Sequence, residues 1–155
     1  MTKTFLLKIW RILPSWLQGM ASRIVRPLFQ VFTAAVIFNS DHQIYLVKTT
    51  YNRFHPWGVP GGSLEYGESA DDALLREMLE ETSLHLEIER ILFTKTFSPD
   101  RVGIYYLCKI VDGEFQPSEE VSEFGYFSPD ALPDVRLEDV ELIKRIYKEV
   151  MYELA

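Results

Sequence analysis

The chain of 155 residues contains one cysteine, Cys108, so no disulfide bond can form within it. Such sparing use of cysteine is typical of reducing compartments, and we expect a cytoplasmic location. An uninterrupted apolar run of about 18 residues is also lacking, so no transmembrane helix is predicted. Bases are the scarcer charged type, with 16 against 23 acids and a net charge of −7. This balance argues against a nucleic-acid-binding protein, which would show a basic patch.

The few bases are unevenly distributed. Residues 1–29 hold five bases and no acid, a charge of +5, whereas the remainder holds 11 bases and 23 acids, a charge of −12. The same segment is rich in large apolar residues that recur at helical spacing on both sides of Pro14. Bases interrupt the apolar stretch and no A-x-A-like site follows it, so we do not expect a cleaved signal peptide.

Residues 1–29 are therefore predicted to be a basic amphipathic helical extension, and residues 30–155 a single domain. We expect the extension to pack on its own domain and to cover a sheet edge. Contact with a second copy, giving a homodimer, is the next alternative. Contact with an anionic membrane surface is the last.

Strand and helix patterns alternate after residue 29, in a chain whose 47% hydrophobic and 25% charged composition is that of a globular domain. A glycine- and proline-rich loop over residues 50–68 surrounds a short extended piece, WGVP. The mixture predicts an α/β sandwich. The predicted strands are 31–38, 43–49, 84–97, 102–111 and 124–128, and the predicted helices are 69–82 and 137–154.

The helix predicted over residues 69–82 has Ser69 as its N-cap and carries a broad apolar side. That side comprises Ala70, Leu74, Leu75, Met78 and Leu79. The next face carries Ala73 and three acids in the last turn, where the helix end is partially negative and acids four residues apart repel each other. The acids are Glu77, Glu80 and Glu81.

An acidic cluster at a helix end is unfavourable unless a cation occupies it, and hard divalent cations bind such oxygen-rich sites. Arg76 lies four residues before Glu80, close enough to hold one carboxylate in place. The preceding loop contains Gly61 and Gly62, whose backbone can approach a ligand closely. A strand, a glycine loop and an acidic helix in this order predict a site for metal-bound phosphates.

The segment from Gly62 to Leu84 resembles the box of the Nudix hydrolases, G-x5-E-x7-R-E-U-x-E-E-x-G-U, in which U is apolar. The single departure is Ser83, where the family has a glycine that helps the chain leave the helix in a left-handed turn. This departure removes no ligand. The matching residues are Gly62, Glu68, Arg76, Glu77, Met78, Glu80, Glu81 and Leu84.

The resemblance implies an α/β/α sandwich with a mixed sheet and hydrolysis of a nucleoside diphosphate linked to another moiety. Its cofactor would be Mg²⁺, with Mn²⁺ as the alternative ion. By match to the box, the metal ligands are Glu77, Glu80 and Glu81, with Glu68 as a further or water-mediated ligand. Arg76 would orient a glutamate, and Glu80 and Glu81 would be catalytic.

The general base in such enzymes is either a box glutamate or an acid from a later loop. In this chain the loop acids are Glu119, Glu120 and Glu123. We select Glu120 by its spacing before Tyr126. The alternative is that all three are solvated loop acids.

The expected substrate is a small nucleotide derivative, held by Gly61, Gly62, Arg53, Phe54 and Trp57. Further aromatic residues that could stack on a base are Tyr51, Phe97, Tyr105 and Tyr106. Pro99 stands 15 residues after Leu84, which resembles a proline of ADP-ribose pyrophosphatases and favours ADP-ribose or a nucleotide sugar. Two alternatives stay open: a housecleaning nucleoside triphosphate pyrophosphohydrolase and a non-catalytic nucleotide-binding module.

Overall fold

A computed structural model of the chain describes residues 10–19, 28–97 and 99–154. From residue 28 onward the observed strands and helices confirm the predicted order of elements, and the last strand begins three residues earlier than expected. The elements are β1 (Gln30–Ile37), β2 (Ile44–Thr49), β3 (Trp57–Gly58), α1 (Ala70–Thr82), β4 (His85–Phe97), β5 (Arg101–Asp112), β6 (Val121–Phe127) and α2 (Leu137–Leu154).

The strands form two three-stranded sheets, ordered β1-β5-β4 and β3-β2-β6. The first sheet is mixed, because β1 pairs with β5 in parallel and β4 pairs with β5 antiparallel. The second is antiparallel throughout. The consecutive strands β1 and β2 thus lie in different sheets, although the turn between them is as short as expected. That turn is held by the Asn39 side chain, which accepts hydrogen bonds from the amides of Asp41 and Gln43.

Helices pack on both sides of the strands, which confirms the predicted sandwich. Alternate residues of a strand point to opposite faces. In β1, Ala35 and Ile37 join a core with Leu74 and Met78 of α1. Ala34 and Val36, with Ile44 and Leu46 of β2, join a second core. On the α2 side this second core contains Leu142, Ile143 and Ile146.

Helix α1 begins after Ser69, whose side chain accepts a hydrogen bond from the Asp72 amide as an N-cap should. Its buried residues are Ala73, Leu74, Met78 and Thr82. Leu75 and Leu79 belong to the predicted apolar side but are 37% and 44% exposed. The strands bury a stripe of α1 that is narrower than the apolar side of this helix. The small Ala73 lies within the buried stripe.

The extension before β1 is described only in part. Residues 10–12 and 15–19 are helical, and the Gln18 amide donates to the carbonyl oxygen of Pro14 over 3.0 Å. Within the described residues, no helix is long and apolar enough to span a bilayer. The remaining residues of 1–27 lie outside the described part, so the predicted extension and its boundary with the domain stay predictions.

Candidate active site

The loop before α1 lies directly against β1. The Thr33 amide donates to the Gly62 carbonyl over 2.8 Å, and the Ala35 amide donates to the Pro60 carbonyl over 2.9 Å. A Cβ atom on Gly61, whose φ is 148°, would stand 2.0 Å from the Thr33 carbonyl oxygen. A Cβ atom on Gly62 would stand 2.1 Å from the carboxyl carbon of Glu77. The two glycines therefore let the loop backbone approach both the strand and an acid of the box.

Arg76 joins this loop to the helix. Its Nε and Nη2 donate to the two oxygens of Glu68 over 2.9 and 3.1 Å, and Nη2 also reaches the Ser63 carbonyl over 3.2 Å. Its Nη1 lies 3.2 Å from Glu77 and 3.4 Å from Glu80. The hydrogen bonds from Arg76 lower the pKa of Glu68. Arg76 thus orients three acids, Glu68, Glu77 and Glu80. Glu68 differs from the other two because both of its carboxylate oxygens accept hydrogen bonds from Arg76.

Three other carboxylates act on Glu81, an acid of the box. Burial, followed by the charges of Glu77, Glu120 and Glu80, raises the pKa of Glu81 to about 7. Burial also raises the pKa of Glu77, against the opposing effect of Arg76. A carboxylate that is partly desolvated among like charges is destabilised in its ionised form. The helix end therefore holds carboxylates that disfavour each other's ionised form.

One of the three loop acids, Glu120, acts electrostatically on this cluster. The charge of Glu120 acts on Glu81 and Glu77, and its backbone carbonyl accepts a hydrogen bond from the Thr50 amide over 2.8 Å. Glu123 instead forms an ion pair with Lys48 at 2.7 Å. This placement supports the choice of Glu120 over Glu123.

A cavity of about 380 Å³ is lined by Gly61, the residue before the box glycine Gly62, whereas none of the box acids lines it. Tyr51 also lines the cavity. Its pKa is raised by burial and then by the charges of Glu81, Glu120 and Glu77. Trp57 and Gly61, both predicted to bind substrate, line it as well, together with Phe97 and Tyr105.

Other residues predicted to bind substrate lie elsewhere. Arg53 and Phe54 are not among the cavity-lining residues, and Phe54 is 80% exposed. Gly62 lies against Glu77 rather than in the cavity wall. Tyr106, another candidate for stacking on a base, is also absent from the cavity wall, and its hydroxyl donates a hydrogen bond to Asp71 over 2.6 Å. The loop that carries Phe54 exposes this side chain to solvent.

Comparison with known proteins agrees with this geometry. Residues 28–150 match the family profile of the NUDIX domain. The chain belongs to the Nudix hydrolase family. It is 30% identical over 115 residues to the ADP-ribose pyrophosphatase of Methanocaldococcus jannaschii, covering 70% of this chain and 68% of the relative. As a Nudix hydrolase, it is a pyrophosphohydrolase of nucleotide derivatives.

Solved structures show the same fold. An ADP-ribose pyrophosphatase from Streptococcus suis superposes with a TM-score of 0.66 at 30% identity, covering 77% of this chain and 90% of the other. A UDP-X diphosphatase gives a TM-score of 0.67 at 26% identity, covering 88% and 72%. Both structures share the Nudix fold with this chain.

Nudix hydrolases generally need divalent metal ions, and the donor chemistry of the cluster suits one. Glu77, Glu80 and Glu81 offer only carboxylate oxygens, the ligands that hard cations prefer. Within the described residues, no three His, Cys, Asp or Glu side chains are arranged to hold an ion together. The mutual repulsion acting on Glu81 is nevertheless the property that a bound cation would relieve. The assignment of ligands therefore stays a prediction.

Sequence reasoning missed the charged residues of the cavity. Arg101, at the start of β5, lies over the ring of Phe32 at 4.9 Å. Arg136 precedes α2 and pairs with Asp139 at 2.7 Å and with Glu138 at 3.3 Å. These four charged residues and Phe32 all line the cavity. The spacing of Arg136 three residues before Asp139, at the start of a helix, is a sequence signal for that ion pair. Nothing in the neighbouring sequence links the pair to the Nudix box.

Ser83 occupies the position where Nudix proteins usually have glycine, and its backbone is left-handed, with φ 60° and ψ 22°. Its amide donates to the Leu79 carbonyl over 2.9 Å. Because a left-handed residue with a Cβ atom is strained, Ser83→Gly should stabilise the protein by about 0.5–1 kcal/mol without changing kcat. Thermal unfolding and a turnover assay check this. A lower melting temperature would show that the serine side chain itself stabilises the helix end.

Proposed function

We propose that this Nudix hydrolase cleaves the pyrophosphate bond of ADP-ribose or a nucleotide sugar in a Mg²⁺-dependent reaction. The observation that carries the proposal is the cavity of about 380 Å³, whose wall includes Gly61 of the box loop and Tyr51, a residue on whose pKa the charges of Glu81, Glu120 and Glu77 act. Pyrophosphate held at the cluster would leave a nucleoside or sugar to fill that space. The names of the relatives, ADP-ribose pyrophosphatase and UDP-X diphosphatase, support the same class of substrate.

The proposed roles follow from charge and position. Glu77, Glu80 and Glu81 would hold Mg²⁺, and Mn²⁺ suits the same oxygen donors. The ion would neutralise phosphate oxygens and lower the pKa of a bound water. Arg76 keeps two of the three acids in position through its contacts with Glu77 and Glu80. Hydrolysis adds water across the P–O–P bridge and releases two phosphate monoesters.

Glu120 is the residue we assign as the general base, because it is the loop acid whose charge reaches Glu81. Glu120→Gln should lower kcat by about 10²–10⁴-fold with little change in KM, since proton abstraction contributes that much to rate. Glu119→Gln is the matched control, and it should retain wild-type turnover. Equal losses in both variants would remove Glu120 from this role, as would an unchanged kcat in Glu120→Gln.

Arg101 is the cavity residue we assign to the non-reacting part of the substrate. Its guanidinium lies over the ring of Phe32 at 4.9 Å and suits an anionic or hydroxyl-rich group. Arg101→Ala should raise KM for ADP-ribose about tenfold with kcat nearly unchanged, because the contact is the same before and during reaction. Lys95→Ala is the control, since Lys95 lies over Phe97 of the same hairpin but is absent from the cavity wall. A kcat loss without a KM change would contradict the assignment.

A substrate panel tests the proposed function. Phosphomonoester release would be compared for ADP-ribose, nucleotide sugars, dinucleoside polyphosphates and ordinary and oxidised nucleoside triphosphates, each with Mg²⁺ and with a chelator. We expect the highest kcat/KM for ADP-ribose or a nucleotide sugar. Preference for a triphosphate would instead favour the housecleaning activity. Nucleotide binding without any hydrolysis would favour a binding module.

A further inference from the structure

Large apolar side chains are exposed in the described residues that precede β1. The exposed fractions are 39% for Trp10, 83% for Ile12 and 66% for Trp16. Leu28 and Phe29, where the chain enters the domain, are 70% and 47% exposed. Single exposed apolar residues are ordinary, but two tryptophans and an isoleucine within seven residues form a patch that calls for a partner. None of these residues lines the cavity of the candidate active site.

The local fold holds the two tryptophans on one short unit. Helical residues lie on both sides of Pro14, and the Gln18 side chain donates to the carbonyls of Trp10 and Leu13, each over 2.9 Å. These bonds close the turn between the two helical pieces. Leu13 is half-buried, whereas Trp10 and Trp16 face solvent. The unit therefore presents its largest apolar side chains outward.

Charge indicates which partner fits. Residues 1–29 carry +5 without a single acid, while the rest of the chain carries −12. An anionic bilayer attracts clustered bases through its surface potential and accepts tryptophan rings at the level of the headgroups. The acidic domain is repelled by the same surface, so contact would be confined to this segment. Bases combined with exposed tryptophans are the pattern of helices that lie in a membrane interface.

We propose that residues 1–29 bind the surface of an anionic lipid bilayer. Trp10, Ile12 and Trp16 enter the interface, and the five bases of the segment attract the anionic headgroups. Binding is peripheral and reversible, because a short segment of this kind inserts only into the headgroup region. The hydrolase domain is thereby held next to the membrane without spanning it.

Vesicle sedimentation of the full chain tests this. The protein would be mixed with vesicles of phosphatidylcholine alone, or with about 30% phosphatidylglycerol, at low and high salt. We expect binding to the anionic vesicles, at least about tenfold weaker binding to neutral ones, and release in about 0.5 M salt, where charges are screened. The double variant Trp10→Glu/Trp16→Glu should bind anionic vesicles at least about tenfold more weakly than wild type.

Controls separate lipid binding from misfolding and from dimer formation. Tyr152→Glu alters an 85% exposed aromatic residue of α2 and should bind vesicles as wild type does. Nucleotide hydrolysis by each variant in the absence of lipid reports an intact domain. Equal binding to neutral and anionic vesicles would overturn the proposal, as would undiminished binding by the double variant. The proposal would also be overturned if the wild type were a dimer that does not bind vesicles and the double variant were a monomer. A second copy of the chain would then cover the patch.

Discussion

Glu81→Gln is expected to lower kcat by about 10³-fold or more while stabilising the metal-free protein. The glutamine removes one anionic ligand of the proposed metal site, and metal-assisted charge stabilisation contributes several kcal/mol to such reactions. Removal of the charge also relieves the repulsion from Glu77, Glu120 and Glu80. Loss of function and gain of stability would thus arise from the same carboxylate. Steady-state kinetics with Mg²⁺ and unfolding in a chelator measure the two effects.

The stability effect has a definite pH dependence. The pKa of Glu81 is about 7 in the folded chain against an ordinary value of 4.5 for a glutamate, so the folded state binds the proton more tightly. The wild type should therefore lose stability as pH rises from about 4.5 to 7, and Glu81→Gln should not. We expect the variant to be more stable by about 1–2 kcal/mol at pH 8, after allowance for solvent screening, and by little at pH 4.

Glu80→Gln is the matched control for Glu81→Gln. The Glu80 side chain is 62% exposed, so its neutralisation should change stability little, whereas it should still abolish turnover as a proposed ligand. A stability gain for Glu81→Gln that is equal at pH 4 and pH 8 would contradict the electrostatic explanation. Unchanged turnover in Glu81→Gln would show that the metal site is elsewhere.

Arg76→Lys is expected to lower kcat/KM at least about tenfold and the melting temperature by about 5 °C. Arg76 binds both oxygens of Glu68 and also reaches Glu77, Glu80 and the Ser63 carbonyl. Lysine keeps the charge but loses the planar group that makes these contacts at once. The loop would then separate from the helix, and two proposed ligands would lose their orientation. Thermal unfolding and kinetics of the same preparation measure both effects.

Lys109→Ala provides the comparison for Arg76→Lys. Lys109 pairs with Glu89 on the surface, where its side chain is 67% exposed, and such pairs contribute little. We expect wild-type kinetics and a small change in melting temperature. If Arg76→Lys behaved like this control, the contacts of Arg76 would have no positioning role.

Local patterns were sufficient to predict α1 and its ends. Ser69 and the period of the apolar residues mark the start and length of the helix, and the observed bounds Ala70–Thr82 agree. The same pattern does not tell which apolar residues are buried, since Leu75 and Leu79 lie on the apolar side and are exposed. How much of a helix face is covered depends on strands distant in sequence. Periodicity alone cannot supply that information.

Strand pairing and the cavity depend on contacts between distant segments. The sequence predicts β1 and β2 as strands with a short turn but does not show that β1 pairs with β5 in another sheet. The cavity brings together Phe32, Arg101 and Arg136, which no spacing rule connects. The box acids were predictable because they share one helix. Glu120 was selected by spacing, and its effect on the pKa of Glu81 supports that selection.

Product analysis of ADP-ribose incubated with the wild-type chain, with Mg²⁺ or with a chelator, tests the central claim most directly. We expect equal amounts of AMP and ribose 5-phosphate in Mg²⁺, because water adds across the single pyrophosphate bridge, and neither product in the chelator. Equal product formation in both conditions would contradict metal-dependent hydrolysis at the carboxylate cluster. Intact ADP-ribose in both conditions, with nucleotide sugars also uncleaved, would contradict the proposed substrate class.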